Sequence, residues 1–261
     1  MRPITLVLPH FCNLGMLAEQ QAVWADYPDD LKAALHVIVV DDASPKEQRP
    51  TMKAIQDVGL ASVSLFRIVP KVRWNWLACR NLAMHHARTD WALMTDIDHV
   101  LPAETLRRLV MGDLSQSHAY RLARVDAPRR WPYTLSECKP YKEHPNTWLM
   151  TRAMFDKVGG YDERLSGCYG TDGEFRDRVQ AAAHGVVWLT DVMIRYPREI
   201  VSDASTLPSV YTRKGDPKND ADLLERRVQR ERISGWRPLR LSFPWLFVGA
   251  VGVEAVTEVA S

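Results

Sequence analysis

The chain has 261 residues, 46% apolar and 25% charged, which is the make-up of a globular domain and excludes wholesale disorder. A formal net charge of +2 carries no polybasic signature that would demand nucleic acid, and the local pairs Arg129-Arg130 and Arg226-Arg227 read as solvated faces or contact points. Cys12, Cys79, Cys138 and Cys168 are far apart with no Cys-x-x-Cys spacing, so neither a zinc site nor a disulfide framework is indicated, and a reduced, cytoplasmic protein is expected.

Taken in order, apolar runs alternate with helical patterns. Strands are expected at residues 4–8, 35–40 and 63–68, with helices at about 14–24, 45–58 and 75–87 between and after them. The first run is too short for a secretory signal. A fourth strand ends in Trp91-Ala92-Leu93-Met94-Thr95-Asp96-Ile97-Asp98. Such a βαβαβαβ series predicts a mostly parallel sheet covered by helices on both faces, a Rossmann-like α/β fold whose ligands sit beyond the carboxyl ends of the strands. Three strand ends then share one crevice: Pro9-His10-Phe11, Asp41-Asp42 and residues 95–98. Ser44, Pro45 and Glu47 have the spacing of a capping box with proline in the first helical turn. Asp96 and Asp98, two apart on a strand, share a face and can aim at one cation or ribose; carboxylates so placed suit Mg2+ or Mn2+. A second Asp-x-Asp, Asp220-Ala221-Asp222, lies in a polar segment and reads as a helix start.

Beyond Asp98 a helix opens at Pro102, a strand covers 118–125, and the proline- and aromatic-rich residues 126–148 read as irregular. Gly159-Gly160 marks a turn, a helix covers 172–184 with Asp172 near its start, and 186–196 reads as two short strands. Residues 202–220 read as a solvated loop, or as a lid whose Arg213 and Lys214 can close on phosphates. A charged helix at about 221–233 precedes an apolar stretch, 241–253, too short to span a membrane. That tail packs on the domain, meets a second copy in a homo-oligomer, or rests peripherally on a membrane.

Val40-Asp41-Asp42-Ala43-Ser44, Ala78-Cys79-Arg80-Asn81-Leu82-Ala83 and Thr95-Asp96-Ile97-Asp98, in this order, resemble the nucleotide-binding half of GT-A glycosyltransferases, especially the family-2-like group. Gly159-Gly160-Tyr161-Asp162-Glu163 and Gly170-Thr171-Asp172-Gly173-Glu174-Phe175 resemble acceptor-side motifs of the same superfamily, including its galactosyltransferase-like members. The resemblance implies a GT-A domain over 1–200, with a nucleotide-sugar half (1–100) and a small acceptor-side subdomain (101–200), and a lid, helix and tail over 201–261. It implies that Pro9, Asp41, Asp42, Arg80 and Asp96 bind the donor, that Asp96 and Asp98 hold Mn2+ or Mg2+, and that Asp172 is the general base of an inverting transfer. Trp74, Trp76 and Glu174 are acceptor or sugar contacts in this reading. Two departures stand out: Thr171 replaces a usual glutamate, and Tyr196 stands where galactosyltransferase-like members place a metal-binding histidine, with Met193 and His99 as other candidates beside the metal.

The donor expected is a UDP-sugar, and the acceptor is a glycan, a lipid-linked sugar, a protein side chain or a hydroxylated DNA base. Two other readings stay open. A nucleotidyltransferase shares the metal logic but needs a glycine-rich phosphate loop after the first strand, where this chain has His10-Phe11-Cys12-Asn13. A non-catalytic nucleotide-sugar or glycan-binding module has no need of Asp98 and Asp172.

Overall fold

The computed structural model describes residues 1–69, 72, 74–128, 134–196 and 217–252. Arg73, the Arg129-Arg130 pair and the expected lid residues Arg213 and Lys214 lie outside them. Strands β1 (Ile4–His10), β2 (Leu35–Asp41), β3 (Ser62–Ile68) and β4 (Trp91–Met94) are parallel, ordered β3-β2-β1-β4. Helices α1 (Leu14–Ala25), α2 (Asp29–Lys32) and α3 (Trp76–His86) fall among them in sequence. The alternation of faces along each strand feeds two cores: Ile4, Leu6 and Leu8 enter one with Trp24 of α1, and Val7 enters the other with Leu77 and Leu82 of α3.

The second half turns the sheet mixed. It contains β5 (His99–Val100), α4 (Ala103–Met111), β6 (His118–Asp126), β7 (Lys139–Tyr141), β8 (Trp148–Thr151), α5 (Arg152–Val158), α6 (Asp172–Ala182), β9 (Gly185–Arg195), α7 (Pro217–Glu231) and β10 (Trp245–Val251). Strand β8 pairs antiparallel with β4 and β6, and β9 runs parallel to β6. Among the described residues this makes ten strands in one sheet.

Several expectations are corrected. The helix expected at 45–58 is two single 3-10 turns, Lys46–Gln48 and Met52–Ala54. Pro50 lies between them and has no N–H to continue a helix. The capping box fails with it, and Ser44 instead accepts a hydrogen bond from the Cys12 N–H at 3.0 Å. The two short strands expected in 186–196 are one, β9, whose register against β6 jumps between Leu189 and Val192, as a bulge does. Strand β8 and helix α5 fall in or beside the stretch read as irregular, because four buried residues just after Pro145 show no periodicity.

The apolar tail packs on its own chain: β10 lies antiparallel to β3 at the sheet edge. The segment leading to it is fastened by the Gly159–Glu163 motif. Glu163, 3% exposed, accepts from the Leu241 and Ser242 N–H groups and the Ser242 hydroxyl at 2.9, 2.8 and 2.7 Å, and from Asn81 Nδ2 at 2.8 Å. Gly160 has a φ of +68°, and a Cβ there would stand 2.8 Å from Asn81 Oδ1, so only glycine fits. Removing the carboxylate strands several buried donors. Glu163→Ala is therefore expected to lower unfolding free energy by about 3 kcal/mol in urea titrations; a loss under about 0.5 kcal/mol removes this anchoring role.

Among the described residues no helix is long and apolar enough to cross a membrane.

Candidate active site

The carboxyl ends of the parallel strands meet where the backbone is least relaxed. Cys12, Ala43 and Trp74, following β1, β2 and β3, have φ of +49°, +50° and +53°, a region non-glycine residues rarely adopt and which clusters at functional sites. Asp41 is fully buried at this edge, held by His10 Nδ1 at 3.2 Å and Arg67 Nε at 2.9 Å. Burial opposes its ionisation, but the hydrogen bonds from His10, Ser44 and Arg67 and the charge of His10 outweigh it, and its pKa is lowered. Both oxygens are thus used in tying the three strand ends together, so Asp41 braces this edge of the sheet. Pro9 lies opposite Val40 in the same register.

Asp42 is different. Its Oδ2 accepts the Asn75 N–H at 2.9 Å, while Oδ1 is buried with no hydrogen-bond partner among the described residues. Burial, with the Asp41 charge adding to it, pushes its pKa up to about 7. A buried acceptor without a donor is costly, and it is what a ligand N–H would satisfy.

The carboxylate pair is not on a strand. Strand β4 stops at Met94, and Asp96 and Asp98 lie in the turn to β5, closed by His99 N–H to the Asp96 carbonyl at 3.1 Å. Their convergence therefore comes from the turn and not from a two-residue strand period. Gln20 of α1 fixes it, donating to the carbonyls of Ile97 at 2.9 Å and His99 at 2.8 Å.

Arg80, fully buried on α3, reaches Asp96 Oδ1 at 2.5 Å and the Tyr161 hydroxyl at 3.3 Å, and its guanidinium lies 4.6 Å from the Trp76 ring. Its neighbour Asn81 pairs with the Tyr161 N–H and C=O, each at 2.8 Å. The helix motif and the Gly159–Glu163 motif are thus one hydrogen-bonded unit behind Asp96. The other Asp96 oxygen meets His144 Nε2 at 3.0 Å. Burial pushes His144 down to about 4, so at neutral pH it is an uncharged donor. Burial also opposes ionisation of Asp96, but His144, Arg80 and His99 together hold its pKa well below the usual carboxylate range. Asp98 Oδ1 meets His99 Nδ1 at 2.6 Å, and Arg124 Nη1 stands 3.0 Å from His99 Nε2. An arginine only donates, so Nε2 is the acceptor and the ring proton sits on Nδ1, donated to Asp98.

Asp172, expected on the acceptor side, is the first residue of α6, half-buried, and among the described residues its carboxylate accepts no hydrogen bond. Its charge acts on Arg121, whose guanidinium is stacked between Trp148 and Trp188 at 4.3 and 4.8 Å and donates to the His144 carbonyl at 2.5 Å. Glu174 is committed elsewhere: Arg178 takes both its oxygens at 2.8 Å and Arg230 one of them at 3.0 Å, fastening α7 to α6. Trp76 backs Arg80 and Tyr161, whereas half-exposed Trp74 lies edge-on to Tyr169 at 5.3 Å. Met193 is core, and Tyr196 is buried with its N–H on the Asp98 carbonyl at 2.8 Å.

His144 was missed by sequence reasoning. A lone histidine amid prolines and aromatics carries no periodic or spacing signal, and its place beside Asp96 depends on β8 pairing with β4.

The donor set fits a hard divalent cation in kind: two carboxylates, their side chains 38% and 21% exposed, with an imidazole beside each. Among the described residues no three His, Cys, Asp or Glu side chains are already gathered about one point, and Arg80, His99 and His144 each hold one of the carboxylates.

The architecture is the GT-A fold. S. aureus TarS 1-349 in complex with UDP-GlcNAc is similar to it with a TM-score of 0.55 at 15% identity, over 75% of this chain and 59% of that one. The mannosyltransferase PcManGT from Pyrobaculum calidifontis, in complex with GDP-Man and Mn2+, gives 0.54 at 15% identity over 91% and 67%. GalNAc-T7 with UDP, GalNAc and Mn2+ gives 0.54 at 13% over 76% and 44%. Residues 26–119 match the model of glycosyl transferase family 2; they hold Asp41, Asp42, Arg80, Asp96 and Asp98 and stop short of Asp172. No curated protein sequence matches the chain. The fold is thus GT-A, and within it residues 26–119 match glycosyl transferase family 2.

Proposed function

We propose that this protein is an inverting glycosyltransferase that moves a sugar from a nucleotide-sugar, a UDP-sugar in the first instance, to an acceptor hydroxyl with the help of Mn2+ or Mg2+. The observation that carries the reading is the pairing of an unsatisfied buried acceptor, Asp42 Oδ1, with the Asp96–Asp98 turn at one strand-end crevice. The first suits the N–H edge of uracil, and the second would hold a divalent cation whose charge offsets that of the diphosphate. The TarS, PcManGT and GalNAc-T7 structures, with UDP-GlcNAc, GDP-Man and UDP respectively, are consistent with it.

In this reading Asp42 holds the base, while Asp96 and Asp98, oriented by Arg80, His144 and His99, hold the cation. When bound, the cation supplies positive charge to the departing nucleoside diphosphate. Asp172 takes the proton of the acceptor hydroxyl as its oxygen bonds to the anomeric carbon. The bond from that carbon to the diphosphate oxygen breaks on the opposite side, and the electron pair leaves with the nucleotide. A single displacement inverts the configuration. Trp188, 47% exposed beside Arg121, offers a flat surface for a ring-shaped acceptor.

The test is a thermal-shift panel of nucleoside diphosphates with and without Mn2+, repeated across pH. A ligand bound only by the folded state raises the melting temperature. An N–H donor favours ionised Asp42, so below the pKa of about 7 each binding event must release a proton. UDP affinity is expected to weaken by up to about tenfold per pH unit below that value and to level off above it. In Asp42→Asn this dependence flattens. A wild-type profile unchanged between pH 6 and 8 counts against Asp42 as the base contact, and no stabilisation by any nucleotide counts against the function.

A further inference from the structure

We infer that the acceptor is the pyranose ring of a glycan, seated on the outer face of Trp188 with its hydroxyls turned to the carboxylates of Glu143 and Asp172. This deepens the glycosyl-transfer reading above and rests on it.

Trp148 of β8, Arg121 of β6 and Trp188 of β9 form one row across three neighbouring strands. Arg121 is the register partner of Trp188, and the Tyr120–Leu149 pair of the antiparallel β6–β8 ladder sets Trp148 on the other side of Arg121. The row lies on the sheet face that α6 covers. Trp148 meets Phe175 of α6 edge-on at 6.1 Å, and Val186, two residues before Trp188 and so on its face, packs into the same core as Phe175. Exposure rises along the row, from 1% at Trp148 through 5% at Arg121 to 47% at Trp188. The buried end is fixed, with Trp148 Nε1 donating to the Pro145 carbonyl at 3.1 Å. The guanidinium stacks on both rings, at 4.3 and 4.8 Å. Trp188 is thus a flat ring backed on one face by a fixed stack and open on the other.

The charges around the row select its occupant. The carboxylates of exposed Glu143 and half-buried Asp172 act on the Arg121 guanidinium, and exposed Arg176 is tied to Asp177 at 3.2 Å. A nucleic-acid strand also stacks its bases on aromatic rings, but its phosphates need a track of cations, and here the ring is bordered by carboxylates. A pyranose carries no charge. It presents C–H groups to the negative face of an indole, and the hydroxyls at its rim donate to ionised carboxylates. Asp172, the base of the proposed transfer, is then one of the groups that hold the ring.

The experiment is saturation-transfer NMR on the full chain, with UDP and Mn2+ present so that the donor site is filled. The probes are the methyl pyranosides of glucose, galactose, mannose and N-acetylglucosamine. Beside them stand sorbitol, which has the hydroxyls without the ring, and a hydroxymethylated deoxyuridine, which has a flat base. Ring C–H protons of at least one pyranoside are expected to take up saturation, and those of sorbitol and the nucleoside are not. In Trp188→Ala the pyranoside signal is expected to fall about fivefold or more, while Trp188→Phe, which keeps a flat ring, retains most of it. No saturation of any pyranoside by the wild type, an equal or stronger signal from sorbitol or the nucleoside, or an undiminished signal in Trp188→Ala overturns the assignment; the first two results need no variant to fold. UDP binding is followed by thermal shift in the same samples. Any of those outcomes while UDP still raises the melting temperature removes the acceptor platform alone, whereas no stabilisation of the wild type by UDP removes the donor reading and this inference with it.

Discussion

Asp172→Asn is expected to lower kcat by about 10^2 to 10^4, the range that a positioned general base supplies, while UDP with Mn2+ raises the melting temperature as it does in the wild type. The side chain is half-buried at the first turn of α6, and among the described residues its carboxylate accepts no hydrogen bond. Nothing in that setting requires a charge for folding. The substitution is close to isosteric and removes only the carboxylate's interaction with the helix dipole, so the stability change should stay within about 1 kcal/mol. The measurement is initial-rate kinetics with saturating donor, beside the thermal shift. If kcat stays within threefold of wild type, Asp172 is not the base.

Asp98→Asn is the second large effect. An asparagine oxygen still accepts from His99 Nδ1–H, now at 2.6 Å, so the turn should keep its shape while losing a carboxylate ligand. Transfer is expected to fall by about 10^2 to 10^3, the range seen when one electrostatic contact to the leaving group is removed. The added stabilisation that Mn2+ gives to UDP should vanish, with stabilisation by UDP alone retained. Full Mn2+-dependent stabilisation in the variant would place the cation elsewhere. Because Asp96 is held by Arg80 and His144 together, its replacement would also loosen α3, so Asp98 gives the cleaner result.

Glu174 and Glu163 show how motif and role come apart. Both lie in stretches that resemble acceptor-side motifs, yet each spends its carboxylate on the chain's own groups: Glu174 on Arg178 and Arg230, Glu163 on Asn81 and residues 241 and 242. A motif written in chemistry-bearing residues can serve the scaffold, because a buried carboxylate needs several donors and a folded chain supplies them.

What the sequence determined by itself was local. Near-continuous apolar runs separated by helical patterns specify parallel strands buried on both faces, and that alone places Asp41, Asp42, Asp96 and Asp98 at one sheet edge. Pro50, visible in the chain, was the sign that 45–58 is not a helix. Only the tertiary structure decided which aspartate is free to serve a ligand. Asp41 and Asp42 are adjacent and chemically identical, but Arg67 and His10 reach the first and leave Oδ1 of the second alone. His144, 48 residues after Asp96 in the sequence, meets it through the antiparallel pairing of β8 with β4. Hydrogen bonds and ion pairs act over about 3 Å in space whatever the separation along the chain, so they have no signature in periodicity or spacing and appear only when the fold brings the partners together.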